Sequence, residues 1–161
     1  MPTQSSPLAE TRISSALQPY AALPLRAIAG GGFLQHGWAK LAKGPDAFAA
    51  ILQALHVPFP HFSAYLTISV ELLAGAAFLF GALVAWASLP AIVVLLTAMF
   101  TVHLPYGFSS IKIKAIVDGR AQFGPPGYEC DLLYIACILA LVFPNPSPWS
   151  IDSYRLRKRD A

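Results

Sequence analysis

FSAYLTISVELLAGAAFLFGAL, residues 62–83, decides how the rest of the chain is read. From Phe62 to Leu83 the run is apolar except for small hydroxyl residues and one carboxylate, Glu71. A run of about 20 apolar residues has the length of a membrane span. Glu71 is also the one formally charged side chain between Ala47 and Ile111. A carboxylate near mid-bilayer is costly unless it is paired, protonated or turned toward a polar cavity. The chain must therefore supply Glu71 with partners, and those partners lead to function.

Working outward, the composition agrees with a membrane protein. Hydrophobic residues make up 56% of the 161 and charged residues 12%, with a mean hydropathy of +0.57. Soluble domains carry about 25% charged residues. The net charge of +3 is modest, and the basic residues are not interleaved with aromatics on a soluble module, which argues against nucleic acid as a partner. Residues 1–19 form a polar segment containing Glu10 and Arg12, with no small-residue cleavage motif after the first apolar run. That run reads as a retained first span.

Four spans are expected, at about residues 20–41, 62–83, 86–104 and 127–143, within a membrane domain of residues 20–144. Pro24 stands where a first-turn proline would. Residues 47–55 make an apolar helical piece too short to span, which reads as interfacial. Residues 106–126 read as a long loop holding Lys112, Lys114, Asp118 and Arg120. Pro144, Pro146 and Pro148 then break the chain before a basic tail, Arg155, Arg157, Lys158 and Arg159. The fold class is all-α, a four-transmembrane-helix bundle with both termini on one side. The clustered basic tail puts both termini in the cytoplasm, near anionic lipid, and the two long loops outside a bacterial inner membrane.

The first span is unusually polar, with Arg26, Gln35, His36 and Lys40. At about 100° per residue, Arg26, His36 and Lys40 fall within about 80° of one another. Gly30 and Gly37 share that side, as expected of a face turned into the bundle. In the second span Ser63, Thr67, Glu71 and Gly75 form a stripe, and the third offers Thr97, Thr101 and His103. The fourth opens with Tyr128, Glu129 and Asp131, and places Tyr134 with Cys130 and Cys137. By depth, His36, Lys40, His103, Glu129 and Asp131 belong to the outer half, Glu71 to the centre and Arg26 to the inner half. These groups suggest a polar pocket opening outward.

Each residue has a plainer reading too. Arg26 either pairs with Glu71 or snorkels to the inner interface. Lys40 and His103 either enter the pocket or sit at helix ends. Glu129 and Asp131 suit a helix N-terminus, where acids complement the dipole. Cys130 and Cys137 stand about 10 Å apart on a helix, too far for a mutual disulfide, and read as small packing residues ahead of a redox role. His56 and His61 flank a proline-rich loop and are assigned no metal.

Several motifs in order resemble the DoxX family of membrane proteins. They are Arg26, Phe33, His36-Gly37 and Lys40 followed by Phe48; Glu71 with Gly75; His103 with Gly107-Phe108; Gly127-Tyr128-Glu129; and Ser150-Ile151-Asp152. The resemblance covers about residues 20–154 and implies a four-helix integral membrane protein. It also implies kinship with a subunit of a thiosulfate:quinone oxidoreductase and with membrane thiol and oxidative-stress complexes. The expected function is a small subunit of a quinone-linked redox or thiol-oxidation system, working with a redox partner protein in the lipid bilayer. Its ligand site would comprise Arg26, His36, Lys40, Glu71 and His103, with Glu71 as candidate proton relay and Glu129, Cys130 and Cys137 as secondary residues. No covalently bound cofactor is expected, since no haem, flavin or iron–sulfur motif is visible, and quinone is the candidate redox molecule. The contrasting expectation is a non-enzymatic scaffold, or a binder of a small solute or lipid.

Overall fold

A computed structural model describes residues 15, 18–143, 147 and 149–159. The polar segment 1–14, Pro144, Pro146, Pro148 and the Arg159 side chain lie outside what it describes. Six α-helices and one β-hairpin follow in order: α1 (Ala22–Lys43), α2 (Pro45–Ala54), α3 (Pro60–Phe80), α4 (Val84–Ala98), β1 (Ile113–Val117), β2 (Arg120–Phe123), α5 (Glu129–Val142) and α6 (Ile151–Arg159). A π-helical turn, Met99–His103, and a 3-10 turn, Leu104–Tyr106, prolong α4.

Two of these helices are long and apolar enough to cross a membrane: Pro60–Phe80, and Val84–Tyr106 with its extensions. The first span expected from sequence is present as α1, which has the length but carries Arg26, Lys40 and Lys43. The fourth is present as α5, whose 14 residues rise about 21 Å, short of a hydrocarbon core of about 30 Å.

These helices bury an apolar centre with a few polar groups, and leave many large apolar side chains outside. The centre holds small or medium residues and two aromatics: Ala29, Phe33, Ala74, Phe78, Ala91 and Ile138. Arg26, Glu71, Ser88 and Asp131 are buried with them. Leu73, Trp86, Leu89 and Phe100 lie outside, at 72%, 81%, 72% and 61% exposure. Only 11% of the most apolar window of Val84–Tyr106 is buried. Large apolar side chains facing outward in this number suit apolar surroundings such as a bilayer.

The α1–α3 pairing sets the geometry of everything else. The two helices run antiparallel, so Arg26 lies level with Phe78, Gly30 with Gly75, and Lys40 with Glu71. A Cβ on Gly30 would lie 2.8 Å from the Gly75 carbonyl oxygen, and one on Gly75 would lie 2.9 Å from that of Gly30. Only hydrogen atoms fit between the backbones there, so glycine on both helices permits the approach. Edge-on contacts of Phe33 with Phe78 and Tyr134 bring α5 onto the same centre. Helix α2 packs Ala49 and Leu52 against Ala64 at the start of α3 and does not span, in keeping with its short apolar sequence.

The all-α expectation needs correction at residues 106–126. Instead of an irregular loop, β1 and β2 form an antiparallel hairpin. Its turn is Asp118-Gly119, with φ of 50° and 72°. Two positive φ values in a two-residue turn match the right-handed twist of the strands, and Asp-Gly is a favoured pair for it.

Candidate functional site: two buried carboxylate pairs

At the C-terminal end of α1, the side chain of Lys40 reaches across to α3, and its Nζ donates to Glu71 Oε1 at 2.5 Å. The same ammonium stands 5.2 Å from the centre of the Phe48 ring. Lys40 retains 25% side-chain exposure and Glu71 7%. The pair therefore has one edge toward the surface and one in the bundle. Glu71 Oε2 is buried and has no hydrogen-bond partner among the described residues. Buried polar atoms are nearly always paired, and one left bare costs about 1–3 kcal/mol.

A second pair joins α4 and α5. His103 Nδ1 lies 2.6 Å from Asp131 Oδ2, with side-chain exposures of 25% and 6%. The π turn at Met99–His103 changes the angular position of the last α4 residues, which presents His103 to α5. Asp131 shares a helix face with the core residue Ile138, two turns further on. The sequence reading gave Asp131 the plainer role of complementing a helix N-terminus, and so passed over this partner of His103. The residue was visible, but no pattern in the chain predicts the π turn that brings the histidine to it.

The two pairs occupy the same level of the bundle. The His36 ring packs edge-on to Tyr134 with centroids 6.4 Å apart. From that contact Lys40 is about 6 Å further along α1, and Asp131 about 4.5 Å in the same direction along antiparallel α5. His36 itself is exposed, at the seam of α1 and α5.

Arg26 is not a partner of Glu71. Its Nε donates to Phe78 O at 3.2 Å, and its Nη2 donates to Leu79 O at 2.8 Å and Trp149 O at 3.0 Å. Nη1 lies 3.5 Å from Ser147 Oγ. The antiparallel run of α3 explains the correction. Residue 26 levels with the carbonyls that end α3, about 10 Å along the axis from Glu71, and a guanidinium there satisfies groups the helix leaves open. A cavity of about 190 Å³ adjoins Arg26, bordered by Leu25, Val84, Leu141 and Phe143. The single pocket expected from sequence thus divides. Lys40 with Glu71 and His103 with Asp131 share one level, towards the C-terminal end of α1, His36 borders it, and Arg26 stands at the other end.

The secondary residues have local roles. Glu129 Oε2 accepts from the Ser110 amide at 2.9 Å, closing the loop onto α5. Cys130 is exposed, and Cys137 packs against the core. Thr97 and Thr101 donate back to carbonyls four residues earlier on their own helix. Among the described residues no group of three or more His, Cys, Asp and Glu side chains is placed to hold a metal ion.

The sequence reading also missed the part played by the tail. Asp152 accepts from the amides of Leu83 at 3.0 Å and Val84 at 3.2 Å, capping α4 from 68 residues away. Ser150 Oγ donates to Gly81 O at 2.9 Å. The Ser-Ile-Asp signal was noticed, but not the helix end it serves.

The DoxX family model matches residues 21–104, just over half of the chain. Comparison with curated proteins and with solved structures finds no match.

Proposed function

Since the chain belongs to the DoxX family of membrane proteins, we propose that it is a small subunit of a quinone-linked redox or thiol-oxidation system, with Glu71 exchanging protons. In this reading four helices cross a bacterial inner membrane, both termini are cytoplasmic, and the two carboxylate pairs lie in the outer half. The observation that carries it is the unpartnered, buried Oε2 of Glu71 beside an oxygen held by Lys40. The bare oxygen is free to accept a hydrogen bond from a ligand or from a group that delivers a proton.

The residues suit a quinone as substrate. Quinone carbonyls need hydrogen-bond donors, and Lys40 and exposed His36 are donors at the outer level. A quinone in the bilayer would approach at the α1–α5 seam, where His36 and Tyr134 present ring edges. Reduction of a quinone takes two electrons and two protons. The electrons would come from a redox partner protein, and Glu71 would pass protons, with His103 and Asp131 as a second exchangeable pair. A small sulfur oxyanion would find the same cations.

The test is extraction of the purified protein for bound quinone, followed by quinone-dependent turnover with the co-purifying partner. Bound quinone is expected, and Glu71→Gln should lower turnover about 100-fold, the usual scale for loss of a proton-transferring group. Absence of quinone together with an active Glu71→Gln protein would overturn the reading.

A second reading, a non-enzymatic scaffold or lipid binder, draws on the other end of the bundle. There Arg26 spends its donors on α3 and the tail beside a cavity whose wall joins Leu25, Val84, Leu141 and Phe143 to Ser147 and Ser150. Native mass spectrometry showing retained phospholipid and no quinone would favour it.

A further inference from the structure

The β-hairpin has two unlike faces. Cross-strand partners share a face, so Ile113 with Phe123 and Ile116 with Ala121 lie on one side. An irregularity between Ile113 and Ala115 keeps Ile113 and Ile116 in phase. The other side carries Ala115 with Gln122 and Val117 with Arg120. Every strand residue is exposed; Ile113, Ile116 and Phe123 stand at 66%, 73% and 60%. An isolated two-stranded hairpin is marginal in water and needs a surface for its apolar face.

The root of the hairpin is fixed where α4 ends and α5 begins. Gly124 N donates to Lys112 O at 2.9 Å, and Gly127 N donates to Ser109 O at 3.1 Å. Tyr128 N and Glu129 N donate to Gly107 O and Phe108 O, while Ser110 bonds to Gly127 and Glu129. The hairpin therefore stands at the rim of the bundle, at the end where α4 stops and α5 starts. Residues 112–123 carry Lys112, Lys114 and Arg120 against one acid, Asp118. A hairpin with one apolar face and a net positive charge is complementary to the interface of an anionic bilayer.

We infer that the hairpin lies on the membrane, with Ile113, Ile116 and Phe123 at the acyl boundary and its net positive charge attracted by anionic headgroups. The inference rests on the membrane-spanning reading of the helices. Its occupant is the lipid bilayer, and the competing occupant is a second copy of the chain.

Site-directed spin labels on the full chain test it, in a Cys130→Ala, Cys137→Ala background. Ile116→Cys marks the apolar face, Gln122→Cys the opposite one, and Leu73→Cys the outward face of α3. The protein is placed in vesicles of phosphatidylcholine, or of equimolar phosphatidylcholine and phosphatidylglycerol. The label at 116 should collide severalfold more with oxygen than with a water-soluble nickel chelate, the label at 122 should do the reverse, and the contrast should be larger with phosphatidylglycerol. Lys114→Glu with Arg120→Glu should remove that lipid dependence. Equal nickel access at 116 and 122 with Leu73 still shielded overturns the inference alone. Dipolar broadening between labels at 116 overturns it in favour of a second copy. Nickel access at Leu73 overturns the membrane reading and this inference with it.

Discussion

Lys40 and Glu71 form a pair in which each member needs the other. Removing one partner of a buried ion pair leaves an uncompensated charge and costs about 3–5 kcal/mol. Lys40→Met should therefore destabilise the protein by about that amount, reduced because Lys40 is a quarter exposed. The Lys40→Met, Glu71→Gln double variant should recover most of the loss. Equilibrium unfolding in detergent or mixed micelles checks both, and a double variant no better than the single one would contradict the pairing. The pair was partly legible in the sequence, because one charge in an apolar run must find a partner and Lys40 lay at a suitable depth. The pairing of Arg26 was less legible. Its partners are backbone carbonyls, which any sequence possesses, and only the antiparallel register of α1 and α3 brings them level with it.

Helices and turns show the same contrast between local and long-range signals. The apolar runs located α1, α3, α4 and α5 to within a few residues, because hydropathy and proline boundaries act locally. The hairpin was missed although Asp118-Gly119 between apolar residues is a local signal; the expectation of a loop between spans obscured it. The capping of α4 by Asp152 could not be read locally, since donor and acceptor are 68 residues apart. Asp152→Ala should cost about 1 kcal/mol, the usual worth of an N-cap, and should raise amide exchange at Leu83 and Val84. Unchanged exchange there would contradict the capping role. At the α1–α3 crossing, Gly75→Leu forces a side chain into a backbone contact, and should cost at least the 1–3 kcal/mol typical of overpacking. Gly31 faces open space, so Gly31→Ala should leave thermal stability unchanged or slightly raised.

Across the described residues, an apolar centre holds a few buried polar groups, and large apolar side chains cover the outside. The helices bury little of their own apolar surface, and the ion pairs sit where neighbouring helices meet. The proposed topology predicts that, in a Cys130→Ala, Cys137→Ala background, a cysteine at Ser109 or Gln122 reacts with an impermeant maleimide from the periplasmic side of intact cells. One at Tyr154 should react only after the inner membrane is opened. The reverse pattern would invert the bundle and place both carboxylate pairs in the inner half. Composition made the membrane class legible, and family-like motifs supported it. The division of the polar residues between the two ends of the bundle was not legible, because it depends on helix register rather than on residue type.

The account turns on whether Glu71 changes protonation when a quinone is reduced. A redox-difference infrared spectrum of the reconstituted protein with added quinone measures this directly. The account predicts a carboxylic carbonyl band that changes on reduction and is lost in Glu71→Gln. A spectrum with no carboxylic change, or one whose band survives in Glu71→Gln, would contradict it.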